Sequence, residues 1–135
     1  MARDPLTVLS RIREAAVTET SRELAAALTA ADAERCRLEA YRQHVLKEQV
    51  DAIGEDIAVF AAWLPTARKR TDQMLSDLRR EDNLVLRLQG LLLFRRTEAE
   101  GVTKAIQRRK HETDLAKARL DQAVMDEVGC RRKRA

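Results

Sequence analysis

The stretch LRREDNLVLRLQGLL, residues 78–92, sets Leu78, Val85 and Leu92 seven residues apart with charged and amide side chains between them. Toward the C-terminus the same column runs on through Ala99, Ile106, Thr113 and Leu120. A neighbouring column holds Met74, Leu88, Val102, Ala116 and Ala123, interrupted by Glu81, Arg95 and Arg109. Toward the N-terminus the period returns in Val17, Leu24, Ala31, Leu38 and Val45. A seven-residue apolar period keeps one stripe facing a partner helix and imposes a left-handed supercoil. Sustained over this length, it makes the fold class all-α, a long antiparallel two-helix coiled-coil hairpin.

Composition agrees with that reading. In 135 residues, 36% are charged and 3% aromatic, with 4 Gly and 2 Pro. A globular core needs more large apolar side chains and more turns; a narrow seam flanked by charge needs neither. The net charge of +4 is the small difference between 26 basic and 22 acidic residues. The signs alternate, as in Arg79-Arg80-Glu81-Asp82, in the manner of a solvated coiled-coil flank. Arg131-Arg132-Lys133-Arg134 is the one basic run, and its two readings are a solvated terminus and a contact for nucleic acid, lipid or an acidic surface.

The hairpin needs a break, and two are present. Gly54, within Asp51-Ala52-Ile53-Gly54-Glu55-Asp56, suits a turn and a helix start. Pro65 is the other. Folding at Gly54 pairs Val17 with Leu92, Leu24 with Val85, Ala31 with Leu78 and Val45 with Leu64. Folding at Pro65 pairs Leu24 with Ile106 and Leu38 with Leu92. The registers differ by whole heptads, so periodicity leaves both open. Turn chemistry favours Gly54, with Pro65 distorting the second helix locally. This gives a single hairpin over 1–135: helix 1 over about 4–51, a turn near 52–56, helix 2 over about 57–129 with an overhanging C-terminal part, and a basic tail at 130–135.

Little in the chain suggests reactive chemistry. It contains no Gly-rich phosphate loop, metal-ligand cluster or nucleophile–base arrangement, so no enzyme, catalytic residue, metal or cofactor is expected. His44 and His111 read as helix-surface histidines, and Cys36 and Cys130 lack metal-like spacing. The opening Met1-Ala2-Arg3-Asp4-Pro5 carries no secretory signal, and Ala58–Leu64 is too short to span a bilayer. A cytoplasmic protein without a membrane span is expected. Tyr41, Phe60 and Trp63 gather toward the middle of the sequence, where residues 57–64 are apolar around more of the helix than one seam uses. That segment is either a self-packed cap or an exposed docking patch. Leu6, Leu9 and Ile12 recur three apart as a stripe beside the second helix, and Arg35, Arg95 and Arg109 are expected to lie along the seam and pair with acids.

With these features together, the chain resembles the FliJ family of flagellar type III export proteins over nearly its whole length. The opening residues 4–14, DPLTVLSRIRE, are similar to the family's Leu-x-x-Leu-x-x-hydrophobic-basic entry. Residues 60–65, FAAWLP, resemble the aromatic segment that follows the turn, and residues 119–127, RLDQAVMDE, the acidic-hydrophobic close. The resemblance implies a two-helix stalk that inserts into a hexameric export ATPase, links it to the cytoplasmic part of the membrane export gate and binds export chaperones. It would be cytoplasmic and peripherally associated with the inner-membrane export apparatus. The gate-facing residues would be Tyr41, His44, Phe60, Leu64 and Ala67, with Tyr41 and His44 departing in residue type. The ring-facing residues would be Leu6, Leu9, Ile12, Arg13, Leu120, Met125 and Asp126. The alternatives are the stalk of a virulence-type secretion system, a generic coiled-coil adaptor or homodimer, and a nucleic-acid-associated coiled coil. The acids interspersed along the helices oppose the last of these, so no nucleic-acid partner is expected.

Overall fold

The computed structural model describes residues 3–134; Met1, Ala2 and Ala135, which the expected hairpin over 1–135 also takes in, lie outside the described residues. Helix α1 spans Pro5–Gly54 and helix α2 spans Ile57–Arg134. Packed against each other with no strand among the described residues, they form an all-α helical hairpin.

Each helix begins for a local reason. Asp4 caps α1: its Oδ1 accepts from the Leu6 N–H at 3.3 Å, and its Oδ2 from the Thr7 hydroxyl at 3.4 Å. Pro5 follows at the first helical position, where its missing N–H costs nothing. Between the helices only Glu55 and Asp56 are non-helical, and both donate their N–H to the Ala52 carbonyl, at 3.3 and 3.2 Å. Asp56 stands before the first residue of α2, and its carbonyl accepts from the Phe60 N–H. Gly54 does not adopt a positive φ; it is the last residue of α1, and the reversal is made by the two acids after it. Helix α2 continues through Pro65, which leaves the Ala61 carbonyl without its usual donor one turn on.

The chain divides into two compact units, Thr18–Leu93 and Met1–Val17 with Phe94–Ala135. In the first, Ala27 and Ala31 of α1 pack against Val85 and Leu88 of α2, with Leu24 beside them. Leu38, Ala67 and Leu92 are also buried. Small alanines opposite branched side chains let the helices approach closely while the larger residues fill the space. Thr20 is buried among them, and among the described residues no buried side-chain nitrogen or oxygen lacks a partner. Arg35 reaches across from α1 to Asp82 at 2.6 Å while also holding Asp32 at 3.0 Å.

In the second unit, Arg13 meets Glu98 at 2.6 Å and Arg109 meets Asp4 at 2.8 Å. The sequence columns hold as far as Ile106, which is half-buried; every residue from Gln107 to Arg134 is exposed. Thr113 still lines a cleft with Leu6, while Ala116, Leu120 and Ala123 keep the period but have no α1 residue opposite, because α1 begins at Pro5. The basic run is not a tail beyond the helix but its last turn, where positive charge complements the helix C-terminus. Ile12 departs from the expected stripe at 58% exposure. Steps of three residues fall behind the helical turn by about 60° each, so by Ile12 the stripe has rotated off the seam, and Arg13 takes the position.

Gly90 and Gly101 lie inside α2 on its exposed side, and a Cβ at either meets nothing within 4 Å. Ala at each is therefore expected to stabilise the hairpin by about 0.5–1 kcal/mol, by restricting the unfolded chain. Urea unfolding of the two single variants would check this, and a loss of stability would show a backbone need for Gly.

Candidate functional site

The richest surface lies at the turn, within the unit Thr18–Leu93. The last turns of α1 and the first of α2 bring together three aromatic residues and a histidine that are 22 positions apart at their extremes, Tyr41 and Trp63. The Tyr41 and His44 rings are 6.1 Å apart, and His44 meets Trp63 at 6.1 Å nearly edge-on. Phe60 lies 5.9 Å from Trp63 on the same face of α2. The Arg70 guanidinium covers Tyr41 at 5.7 Å from the ring centre, a cation–π contact.

Beside this row opens a cleft of about 460 Å³, walled by His44, Phe60, Trp63 and Val59 and rimmed by Glu48, Asp51, Glu55 and Asp56. Glu55 and Asp56 stand just before α2, where acids are at home at a helix start, whereas Glu48 and Asp51 lie in the last turns of α1. Near the turn, Leu46, Val50, Ile53, Ile57 and Val59 are all exposed, and Val59 lines the cleft. Exposed large apolar side chains in such number mark a contact surface. Residues 57–64 divide between the two readings: Ile57 and Val59 are exposed, while Phe60, Trp63 and Leu64 are half-buried.

The expected gate-facing residues divide in two. Tyr41, His44 and Phe60 belong to the aromatic row. Leu64 is half-buried and shares a shallow groove with Val45 and Ala67, and Ala67, at 1% exposure, faces the other helix. Its carbonyl accepts from the Thr71 hydroxyl at 3.0 Å. Ala67 acts on this surface only by setting how closely the helices approach.

The expected ring-facing residues lie in the other unit and do not form one patch. Leu6 and Leu9 are half-buried, with Leu6 beside Ile106 in a cleft of about 260 Å³ that also holds Asp4 and Arg109. Arg13 is engaged by Glu98. Leu120 and Met125 are 68% and 69% exposed, about 21 and 28 Å beyond Ile106 along α2 at 1.5 Å per residue. Asp126 accepts from the Gln122 side chain at 3.1 Å.

The Asp4 carboxyl is held below its ordinary range, chiefly by the hydrogen bond from Arg109, with burial opposing and the Leu6 N–H and Thr7 hydroxyl assisting. A depressed carboxylate contributes stability that is complete above its unfolded value, about 3.9, and is lost as pH falls through the lower folded value. The start of α1 is accordingly expected to stay closed through pH 5 and to loosen only below about pH 4. Hydrogen exchange at the Leu6 and Val8 amides would report this; loosening between pH 7 and 5 would exclude Asp4 as the cause.

What the sequence reading passed over is the acid rim. Asp51, Glu55 and Asp56 read as flanks of a turn and Glu48 carried no reading of its own, and only the reversal of the chain brings all four to one cleft with Trp63. The signal available was charge: Lys47 and Arg68 bound a stretch that holds four acids and no Lys or Arg.

Among the described residues, no cluster of three or more His, Cys, Asp or Glu is arranged to hold a metal ion, and no helix is long and apolar enough to cross a membrane. Searches of family models, curated proteins and solved structures returned no match to this chain.

Proposed function

We propose that this protein is an interaction stalk, the FliJ-like component of a flagellar type III export apparatus. In this role the C-terminal part of α2 enters the hexameric export ATPase, and the surface at the turn meets the cytoplasmic part of the export gate. Export chaperones are further partners. The observation that carries the reading is the unpartnered stretch of α2. From Leu115 to Arg134, beyond the last contacts with the start of α1, the helix stays exposed at every residue while keeping Leu115, Leu120, Val124, Met125 and Val128. A lone helix of this kind gains little from its own chain, so a protein socket that buries one face supports it.

Charge supports it further. The stretch 107–134 holds nine Lys or Arg against five Asp or Glu, an excess of four that equals the net charge of the whole chain. The stalk would bind no nucleotide; it would act by contacting one conformation of the ring better than another. The same excess favours a second reading, contact with nucleic acid, for which binding would weaken steeply with salt and disappear without Arg131–Arg134.

The deciding experiment is ATP hydrolysis by the cognate export ATPase with and without this protein, alongside Ile12→Asp and the pair Leu120→Asp with Met125→Asp. All three positions are exposed, so the hairpin should persist. Stimulation or ring assembly by the wild type, reduced at least about tenfold in the pair, is expected, since losing two apolar anchors costs more than about 1.4 kcal/mol. An ATPase indifferent to the wild-type protein would end the assignment.

A further inference from the structure

We propose that the cleft at the turn binds a basic side chain, an arginine or lysine presented on a peptide segment of a protein partner. Two features of the cleft converge on a cation. Its rim carries Glu48, Asp51, Glu55 and Asp56, and among the described residues Asp51, Glu55 and Asp56 take part in no salt bridge. Its wall is built from the Phe60 and Trp63 rings, whose π faces attract cations. Outside the cleft, the aromatic row that borders it receives a guanidinium from within the chain, Arg70 over Tyr41 at 5.7 Å.

The occupant follows from what the other choices would cost. A neutral apolar segment laid over Val59, Phe60 and Trp63 would strip water from the carboxylates and leave them unpaired, which is unfavourable. An acidic segment would add repulsion. A guanidinium or ammonium pairs with the rim, lays its apolar stem on the exposed Val59, and places its charge against the rings. At about 460 Å³ the cleft has room for one such side chain and part of its backbone. His44 is a member of the same wall, 4.0 Å from Glu48. This inference stands on the cleft alone. Its test needs no export component, so its failure and the failure of the stalk reading are separate results.

Trp63 is the single tryptophan, and its emission reports directly on the cleft. In a titration of the full chain with a short blocked peptide carrying two arginines among alanines, the emission should shift and saturate. The same peptide with citrulline for arginine, alike in shape but neutral, should leave it unchanged. Combining Asp51→Asn, Glu55→Gln and Asp56→Asn should weaken binding of the arginine peptide about tenfold, as expected for losing three exposed charge contacts. All three positions are exposed, so the helical signal should be intact. No emission change at millimolar peptide would overturn the proposal, as would equal binding of the citrulline peptide or wild-type affinity in the triple variant. A shift that appears with rising protein concentration alone, and vanishes when Arg131–Arg134 become Ala, would make the occupant a second copy of the chain and overturn it too.

Discussion

Ala27→Glu is expected to destabilise the hairpin by about 3 kcal/mol or more, the cost of placing an unpaired charge in a closed seam. Ala27 is buried in a cluster with Ala31, Val85 and Leu88, with Leu24 packed alongside. Nothing basic projects into that cluster, and the residue one turn earlier on α1, Glu23, is of like charge. The new carboxylate must either force the helices apart or stay protonated, and both cost stability. For a chain of this size the melting midpoint should fall by about 10 °C. Ala33→Glu, on the exposed side of the same helix, should change it by less than about 0.5 kcal/mol. Thermal melts followed by circular dichroism distinguish the two, and equal melts would mean that the seam does not run where Ala27 is.

The second large effect is a dissociation of stability from function. A chain ending after Asp114 loses residues 115–134, all exposed and facing no part of α1. Its melting midpoint should match the full chain within the equivalent of about 0.5 kcal/mol, although the helical signal drops with the missing turns. If the proposed stalk role holds, stimulation of an export ATPase should be abolished. The logic is that the stretch contributes apolar surface and an excess of three positive charges, six Lys or Arg against three Asp or Glu, to a partner and almost nothing to the fold. A lower midpoint would show that these turns are held by contacts within the protein. Full stimulation by the shortened chain would move the ring-facing role to Leu6, Leu9 and Ile12.

Much of the fold was legible because a coiled coil writes its packing into its period. The columns through Leu24, Ala31 and Leu38 and through Val85, Leu88 and Leu92 are the residues now half-buried or buried. A second α1 column escaped notice. Arg13, Thr20, Ala27, Glu34 and Tyr41 also fall seven apart and are half-buried or buried, but as a mixture of charged, hydroxyl and small residues they give no apolar signal. They can lie in the seam because partners there satisfy them: Arg13 with Glu98, and Glu34 with Arg37 at 2.7 Å. The cleft at the turn was legible only in part. Its aromatics stood out, while its acids looked like ordinary turn residues until two helices brought them to one rim.

What the sequence by itself determined is that the chain is helical, that each helix buries one stripe, and that the stripes meet antiparallel. It did not decide which residues meet, because a seven-residue period is unchanged by sliding one helix by whole heptads, and the apolar contacts are then nearly equivalent. Only the tertiary structure settled that, with the reversal at Glu55–Asp56 and Leu24 against the Val85 cluster. The physical reason lies in the charges beside the seam. In the observed register Arg13 meets Glu98, Arg35 meets Asp82 and Asp4 meets Arg109. The register folded at Pro65 moves each α2 position three heptads on, from Val85 to Ile106 opposite Leu24. Arg13 would then face Arg119, Arg35 would face Thr103 and Asp4 would face Cys130. Each pair adds little to stability where solvent reaches it, but their loss together with a new repulsion falls on one register alone, and that difference chooses between seams otherwise alike.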